Sequence, residues 1–253
     1  MVTGALPPAL RLRGLTRRFG GIAAVSEVTF DIEVGARHGI IGPNGAGKTT
    51  LFNMISGELG TTSGSIELFG RDVTHVSAPR RVAQGLGRTY QITRIFPRLT
   101  VRQNLAIAFH GLRSSKFSML KPWMAYGQCQ QEIADLAAGF LLDNRLESRA
   151  GDLSHGEQRQ LEVALALALK PRVLLLDEPA AGLSPGERVG IRSLLQRLPS
   201  GLTLVMIEHD MDIVRDVVDR IEVLDFGQLV AQGSTADIRA NPRVRQIYLG
   251  SRS

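Results

Sequence analysis

Eight consecutive residues, Gly42-Pro43-Asn44-Gly45-Ala46-Gly47-Lys48-Thr49, constrain this chain more than any other stretch. A brief apolar run, Gly39-Ile40-Ile41, precedes them, and a predicted helix from Lys48 to Ser56 follows. The spacing G-x-x-x-x-G-K-T between a strand and a helix is that of a phosphate-binding loop. Glycines let successive backbone N–H groups curl around phosphate oxygens, and the helix N-terminus adds a favourable dipole. In such a loop the Lys48 ammonium neutralises the β- and γ-phosphates, and the Thr49 hydroxyl reaches a Mg2+ ion. The stretch therefore implies a nucleoside triphosphate bound on a strand–loop–helix unit.

A second stretch supplies the acidic half of such a site. Leu174-Leu175-Leu176 leads directly into Asp177-Glu178, and the run from Val173 to Leu176 is uniformly apolar, as a buried parallel strand requires. Asp177 at the strand end is expected beside the phosphates, holding Mg2+ directly or through water. Glu178, the next residue, is expected where an attacking water would stand. Beyond it, Ser184-Pro185-Gly186-Glu187 reads as a helix start with N-cap, proline at N1 and glutamate at N3. Leu202–Ile207 is a second buried strand, residues 210–218 a helix, Ile221–Asp225 a strand, and Gln228–Gln232 a last strand before a helical C-terminal stretch. This alternation is an α/β pattern.

The segments before the loop read differently. Leu10–Arg13 and Val28–Val34 alternate apolar and polar residues, the period of a half-buried antiparallel sheet, and Ile66–Phe69 is another short strand. Residues 92–158 read as helical. Thr100-x-x-Gln103 is a capping box, a second helix runs from about Gln128 to Leu142, and a third from Glu157 to Leu169.

The chain has 253 residues, 43% hydrophobic and 21% charged, enough apolar material for a sizeable core and against dominant disorder. Its single cysteine, Cys129, cannot form an intrachain disulfide, so nothing depends on an oxidising compartment. Apolar runs are far shorter than the ~18 residues of a membrane span, and no charged-then-apolar signal opens the sequence. A cytosolic chain that does not itself cross a membrane is expected. The net charge of +6 is uneven: residues 71–121 hold ten basic side chains (Arg71, Arg80, Arg81, Arg88, Arg94, Arg98, Arg102, Arg113, Lys116 and Lys121) against one acid, Asp72. Such a block fits an anionic partner, nucleic acid or lipid, or an ordinary solvated face.

Leu153-Ser154-His155-Gly156-Glu157-Gln158-Arg159 precedes the strand at 173. Alone, Ser-x-x-Glu before a helix is a capping box. With the phosphate loop upstream and Asp177-Glu178 downstream, it resembles the signature motif of ABC-type ATPases, L-S-G-G-Q, with His155 in place of the first glycine and Glu157 in place of the glutamine. The resemblance implies a motif that reaches across a dimer to the γ-phosphate held by the other subunit. It implies a nucleotide site made of Phe19, Gly42, Asn44, Gly45, Ala46, Gly47, Lys48, Thr49, Thr50, Ser154, Gly156 and Glu157, with Phe19 stacked on adenine. Gln91, in Thr89-Tyr90-Gln91, matches the family glutamine that senses Mg2+ and couples to the membrane partner. His209, in Ile207-Glu208-His209-Asp210, matches the switch histidine that contacts the γ-phosphate; a lone histidine after a buried strand is ordinarily structural, and the other motifs give it this role. Lys48, Gln91, Glu178 and His209 are thus the implied catalytic set, and Thr49, Gln91 and Asp177 the Mg2+ ligands. Ala181-Gly182-Leu183-Ser184 stands at the D-loop but lacks the aspartate found there in many relatives.

Within that family the chain looks most similar to the ATP-binding subunits of branched-chain (hydrophobic) amino acid importers. The residues that carry this are Phe19-Gly20-Gly21, Arg88-Thr89-Tyr90-Gln91 with Phe96-Pro97, Glu178-Pro179-Ala180-Ala181-Gly182-Leu183-Ser184-Pro185, Glu208-His209-Asp210-Met211 and Tyr248-Leu249-Gly250. The stretch at about 110–128 resembles an extra segment in one of the two paired ATPases of such systems. The fold implied is α/β: a P-loop (RecA-like) parallel-sheet core with an N-terminal antiparallel β layer and an inserted helical subdomain. Residues 1–253 form one ABC ATPase domain on this reading, with the β layer and core in 1–91 and 159–235, the helical subdomain in 92–158 and a helical tail in 236–253. The implied partners are integral membrane permease subunits, a second ATPase subunit (the same chain or a sister) and, indirectly, a periplasmic substrate-binding protein, with no nucleic acid. The implied place is cytoplasmic, peripheral on the inner face of the cell membrane, where anionic lipid would favour the basic block by ~1 kcal/mol per Lys or Arg near the surface. Two other readings share the ATP site: a soluble ABC-type ATPase acting on nucleic acid or ribosomes, and the ATPase of an exporter. A GTPase would carry Asn-Lys-x-Asp, which is absent, and a nucleotide kinase leaves the signature motif and His209 unexplained.

Overall fold

The computed structural model describes residues 6–89, 95–111 and 127–250. In chain order the strands and helices are β1 (Leu10–Phe19), β2 (Ile22–Ile32), β3 (Arg37–Ile41), α1 (Lys48–Ser56), β4 (Ser63–Leu68), β5 (Arg71–Asp72), α2 (Ala78–Ala83), β6 (Leu86–Arg88), α3 (Val101–Gly111) and α4 (Gly127–Gly139). They continue with α5 (His155–Ala168), β7 (Val173–Asp177), α6 (Pro185–Gln196), β8 (Thr203–Ile207), α7 (Met211–Val217), β9 (Arg220–Asp225), β10 (Gln228–Ser234), α8 (Thr235–Ala240) and α9 (Pro242–Gly250).

The alternating N-terminal segments form a four-stranded antiparallel sheet, ordered β2-β1-β4-β5. Leu10, Leu12 and Leu15 of β1 and Val25, Val28, Phe30 and Ile32 of β2 all point to its buried face. The uniformly apolar segments enter a six-stranded sheet, ordered β10-β9-β3-β8-β7-β6, parallel except for the β9–β10 pair. Every residue of β7 and β8 is buried because the sheet separates two cores. Leu175 and Val205 pack with α1 and the antiparallel layer, while Leu174, Leu176, Leu204 and Met206 pack on the opposite face with α3, α5 and α6. A strand with a core on each side has no polar face, hence the unbroken apolar runs.

Helix limits follow from local chemistry. α1 spans Lys48–Ser56 as expected and ends at Gly57 in the left-handed conformation, φ 81°. Thr100 caps α3, with the Gln103 N–H donating to its hydroxyl at 3.1 Å and its own N–H donating to the Gln103 amide oxygen at 2.9 Å. α4 stops at Gly139, short of the expected Leu142, and Leu141 turns the chain at φ 59°. α5 starts two residues before the expected Glu157, because Ser154 is its N-cap and Glu157 closes the box from N3. Among the described residues no helix is long and apolar enough to cross a membrane.

The basic block does not form one outward face. Arg81 is 2% exposed and works inside the fold. Its guanidinium donates to the carbonyls of Met54 and Ile55, both at 2.7 Å, of Val76 at 2.9 Å and of Thr74 at 3.1 Å. Two of these carbonyls belong to the last turn of α1, where that of Met54 also accepts the Gly57 N–H at 3.2 Å. Burial pulls its pKa down to about 10, with Asp72 opposing, so it stays charged at neutral pH. Arg88 also turns inward, toward Asp177, Glu58 and Ser56. Arg94, Arg113, Lys116 and Lys121 lie outside the described residues, as does Gln91. Arg81→Met is expected to take a donor from four carbonyls, leaving only that of Met54 with its Gly57 N–H, and to lower unfolding free energy by about 3 kcal/mol or more; a urea midpoint unchanged from wild type would contradict this.

Candidate active site

Parallel strands β3, β7, β8 and β9 all end at the same edge of the large sheet, and the residues that follow those ends face one another there. Open α/β sheets bind ligands at such carboxyl edges. β3 runs into the phosphate loop, β7 ends in Asp177-Glu178, β8 runs into Glu208-His209, and β9 ends in Asp225.

The loop from Gly42 to Thr49 is wedged between β2 and β9, and two of its glycines are required there. A Cβ on Gly42 would lie 2.1 Å from the Leu224 carbonyl oxygen, and one on Gly47, at φ +96°, 2.2 Å from that of Ala24. The Gly227 N–H donates to the Ala46 carbonyl at 3.0 Å, and the Ser26 N–H to that of Gly227 at 2.8 Å, which ties the loop to both sheets. Asn44, Gly45 and Thr49 are exposed, Thr50 is half-buried, and Ala46 is buried. The Lys48 ammonium is buried and folds back over its own loop, donating to the carbonyls of Gly42 at 2.8 Å and Pro43 at 2.9 Å. Burial lowers its pKa, while the nearby carboxylates of Glu178 and Asp177 oppose the shift.

Asp177 is 2% exposed, and Arg88 donates to its Oδ2 at 3.3 Å. Burial raises its pKa above the ordinary carboxylate value; Arg88 works against this and the neighbouring Glu178 charge adds to it. Glu178 has φ +47°, an uncommon conformation for a residue with a side chain, and such strain persists only where the surroundings enforce it. The enforcement is visible. The Glu178 N–H donates to the Ile207 carbonyl at 2.9 Å. The Arg159 guanidinium, buried on α5, donates to the carbonyls of Glu178 at 2.6 Å and Pro179 at 3.0 Å. The His209 side chain is 66% exposed, and Asp210 behind it N-caps α7.

Phe19 is half exposed, with the Arg17 guanidinium 4.8 Å from its ring centroid. Ser154, Gly156 and Glu157 stand together at the start of α5. Their side chains and amides are engaged with each other and with α6: Glu157 Oε2 accepts from the Ser154 N–H at 2.8 Å, and Glu157 Oε1 accepts from Arg145 at 2.8 Å. The Gly156 N–H donates to Glu187 Oε1 at 2.9 Å, and a Cβ on Gly156 would lie 2.8 Å from that same oxygen. A side chain at 156 would push the Glu187 carboxylate away from this N–H. His155, in place of a family glycine, rests against the D-loop: its Nε2 is 3.2 Å from where a Cβ on Gly182 would sit. Ser184, at the end of the aspartate-free D-loop, N-caps α6 through a capping box with Glu187.

The structure thus gathers Lys48, Asp177, Glu178 and the His209-bearing turn at one sheet edge and puts the Ser154–Glu157 group on the face formed by α5 and α6. Four residues in this region were given no part in the site from sequence: Arg88, Arg159, Glu208 and, beyond its capping of α6, Glu187. For Glu208 the available signal was a carboxylate immediately after four apolar strand residues; for Arg88 there was none, since its partner Asp177 lies 89 residues away.

Two family models match the chain: one described as ABC transporter over residues 25–181, and one described as branched-chain amino acid ATP-binding cassette transporter over residues 228–252. Among curated relatives, the high-affinity branched-chain amino acid transport ATP-binding protein BraF of Pseudomonas aeruginosa is 38% identical over 96% of this chain and 98% of its own length. The protein LivG of the same description from Salmonella typhimurium is 39% identical with the same coverage. Among solved structures, the ADP conformation of an ATP-binding cassette of an ABC transporter superposes with TM-score 0.83 at 30% identity, covering 96% of this chain and 98% of that one. A nucleotide-free ATP-binding cassette gives TM-score 0.83 at 28% identity over 95% and 98%.

Proposed function

This chain belongs to the ABC transporter ATP-binding family, and we propose that within it the chain hydrolyses ATP to drive an importer of branched-chain or other hydrophobic amino acids. The observation that carries the catalytic half is the convergence of the β3, β7 and β8 ends, with Lys48, Asp177, strained Glu178 and the His209 turn at one edge. The match of the C-terminal segment and the named relatives support the amino acid cargo. The inward course of Arg81 and Arg88 takes away part of the basic stretch that spoke for a nucleic acid partner.

On this reading one domain does the work: β layer and core in 1–91 and 159–235, helical subdomain in 92–158, tail in 236–253. The base of ATP stacks on Phe19, and the backbone from Gly42 to Thr50 cradles the phosphates. Lys48 releases the carbonyls of Gly42 and Pro43 and turns its ammonium to the β- and γ-phosphates. Ser154, Gly156 and Glu157 of a second ATPase subunit, a copy or a sister chain, close over the same nucleotide. Glu178 takes a proton from the water that attacks the γ-phosphorus, and His209 holds that water and the departing phosphate in line. The P–O bond to ADP breaks, and with the γ-phosphate gone the two subunits lose their shared ligand and separate.

Mg2+ is a hard cation that takes oxygen donors, commonly one or two from protein and the rest from phosphate and water. The chain offers such a set in the Asp177 carboxylate and the Thr49 hydroxyl, with Gln91 as third ligand. Among the described residues no group of three His, Cys, Asp or Glu side chains forms a dedicated cage, which suits an ion that arrives with the nucleotide. Bound there it would neutralise phosphate charge. The segment after Gln91 carries the opening and closing to permease subunits, with a periplasmic binding protein on their far side and the ATPase peripheral on the inner membrane face.

Uptake of radiolabelled leucine tests the cargo. Loss of the gene is expected to lower uptake, the wild-type gene to restore it, and Lys48→Ala to fail. Uptake that does not depend on the gene would overturn the amino acid assignment.

A further inference from the structure

We propose that Glu208 is a positioning residue for ATP hydrolysis, one that locks the turn carrying Glu178 to the turn carrying His209. The inference rests on the catalytic reading of those two residues given above. Glu208 follows the last residue of β8 and is 1% exposed, a carboxylate buried at the site edge. Its Oε1 accepts the Ala180 N–H at 2.9 Å. Its Oε2 accepts the N–H groups of His209 at 2.8 Å and Asp210 at 3.2 Å. One side chain thus satisfies backbone donors of two separate loops, the first two residues beyond Glu178 and the second at His209 itself.

Only a carboxylate does this. Two oxygens serve three donors on opposite sides, whereas a glutamine offers one oxygen and turns an NH2 donor on an N–H donor. A buried carboxylate held by backbone N–H groups makes charge-assisted bonds, stronger than neutral ones. A backbone bond runs in parallel, from the Glu178 N–H to the Ile207 carbonyl at 2.9 Å. With both ties in place the Glu178 and His209 turns move as one body. The same carboxylate also stands behind the imidazole: His209 Nδ1 lies 3.6 Å from Glu208 Oε2, within reach of a small ring rotation, so Nδ1 faces the protein and the Nε2 edge is left for phosphate and water.

The test is Glu208→Gln in the full chain. The expected result is a fall in kcat of about tenfold or more, with KM and Kd for ATP within about threefold of wild type. The double variant Glu208→Gln/His209→Ala is expected to lose clearly less than the product of the two single losses, because part of what Glu208 does is done through His209. An unchanged kcat, a parallel collapse of kcat and ATP affinity, or additive losses in the double variant would each overturn the proposal. Should Glu208→Gln fail to fold, amide exchange of the wild-type protein decides: a common rate at Ala180, His209 and Asp210 supports one locked unit, and independent rates refute it. Full activity in Glu178→Gln would instead sink the catalytic reading itself, whatever Glu208 does.

Discussion

ATP turnover in Glu178→Gln is expected to fall by about 10²- to 10⁴-fold while ATP still binds. Glutamine keeps the size and shape of the side chain but cannot take a proton from water. The contacts that hold residue 178 in its strained conformation are backbone ones, from its N–H to the Ile207 carbonyl and from Arg159 to its own carbonyl, and the substitution leaves them intact. The phosphate loop, Lys48 and Phe19 are untouched, so binding is preserved and subunits held by an uncleaved γ-phosphate stay together. Phosphate release measured beside an ATP-binding titration separates the two effects. Undiminished release by a variant that binds normally would remove Glu178 from the mechanism.

Lys48→Ala is expected to remove binding itself. The ammonium sits on the loop that cradles the phosphates, bound to the Gly42 and Pro43 carbonyls, and it is largely buried, which lowers its pKa. Truncating one member of a desolvated charge pair costs about 2–5 kcal/mol, roughly thirty- to several-thousand-fold in affinity. The variant also leaves the Gly42 and Pro43 carbonyls without the donor they have in the free chain. Calorimetric titration with MgATP measures the loss, and affinity within a few-fold of wild type would contradict a phosphate role for Lys48.

What the sequence reveals about this fold follows the range of the forces involved. β7 and β8 were legible because a strand between two cores must be apolar on both faces, and the limits of α1 because the phosphate loop and Gly57 bracket it. The caps at Ser154 and Ser184 were legible because a capping box is complete within four residues. The pairing of Arg88 with Asp177 was not: topology, through the β6–β7 register, brings them together, and by sequence alone Arg88 joined an outward basic block. Arg81 misled in the same way, since a buried guanidinium bound to four carbonyls reads locally as one more surface cation. The Gly156–Glu187 contact was legible only as a motif letter, because Glu187 is brought in from α6. Lys48, Asp177, Glu178 and His209 lie at or just beyond strand ends, so their meeting follows once those strands are parallel neighbours.

The most direct test of the central claim is to isolate the tagged Glu178→Gln chain from detergent-solubilised membranes with MgATP and identify what accompanies it. A coupling ATPase with these residues in these roles is expected to bring down apolar membrane proteins and a second ATPase subunit when MgATP is present, and to lose them when Lys48→Ala is added. Recovery with ribosomes or nucleic acid, and no membrane protein, would contradict it.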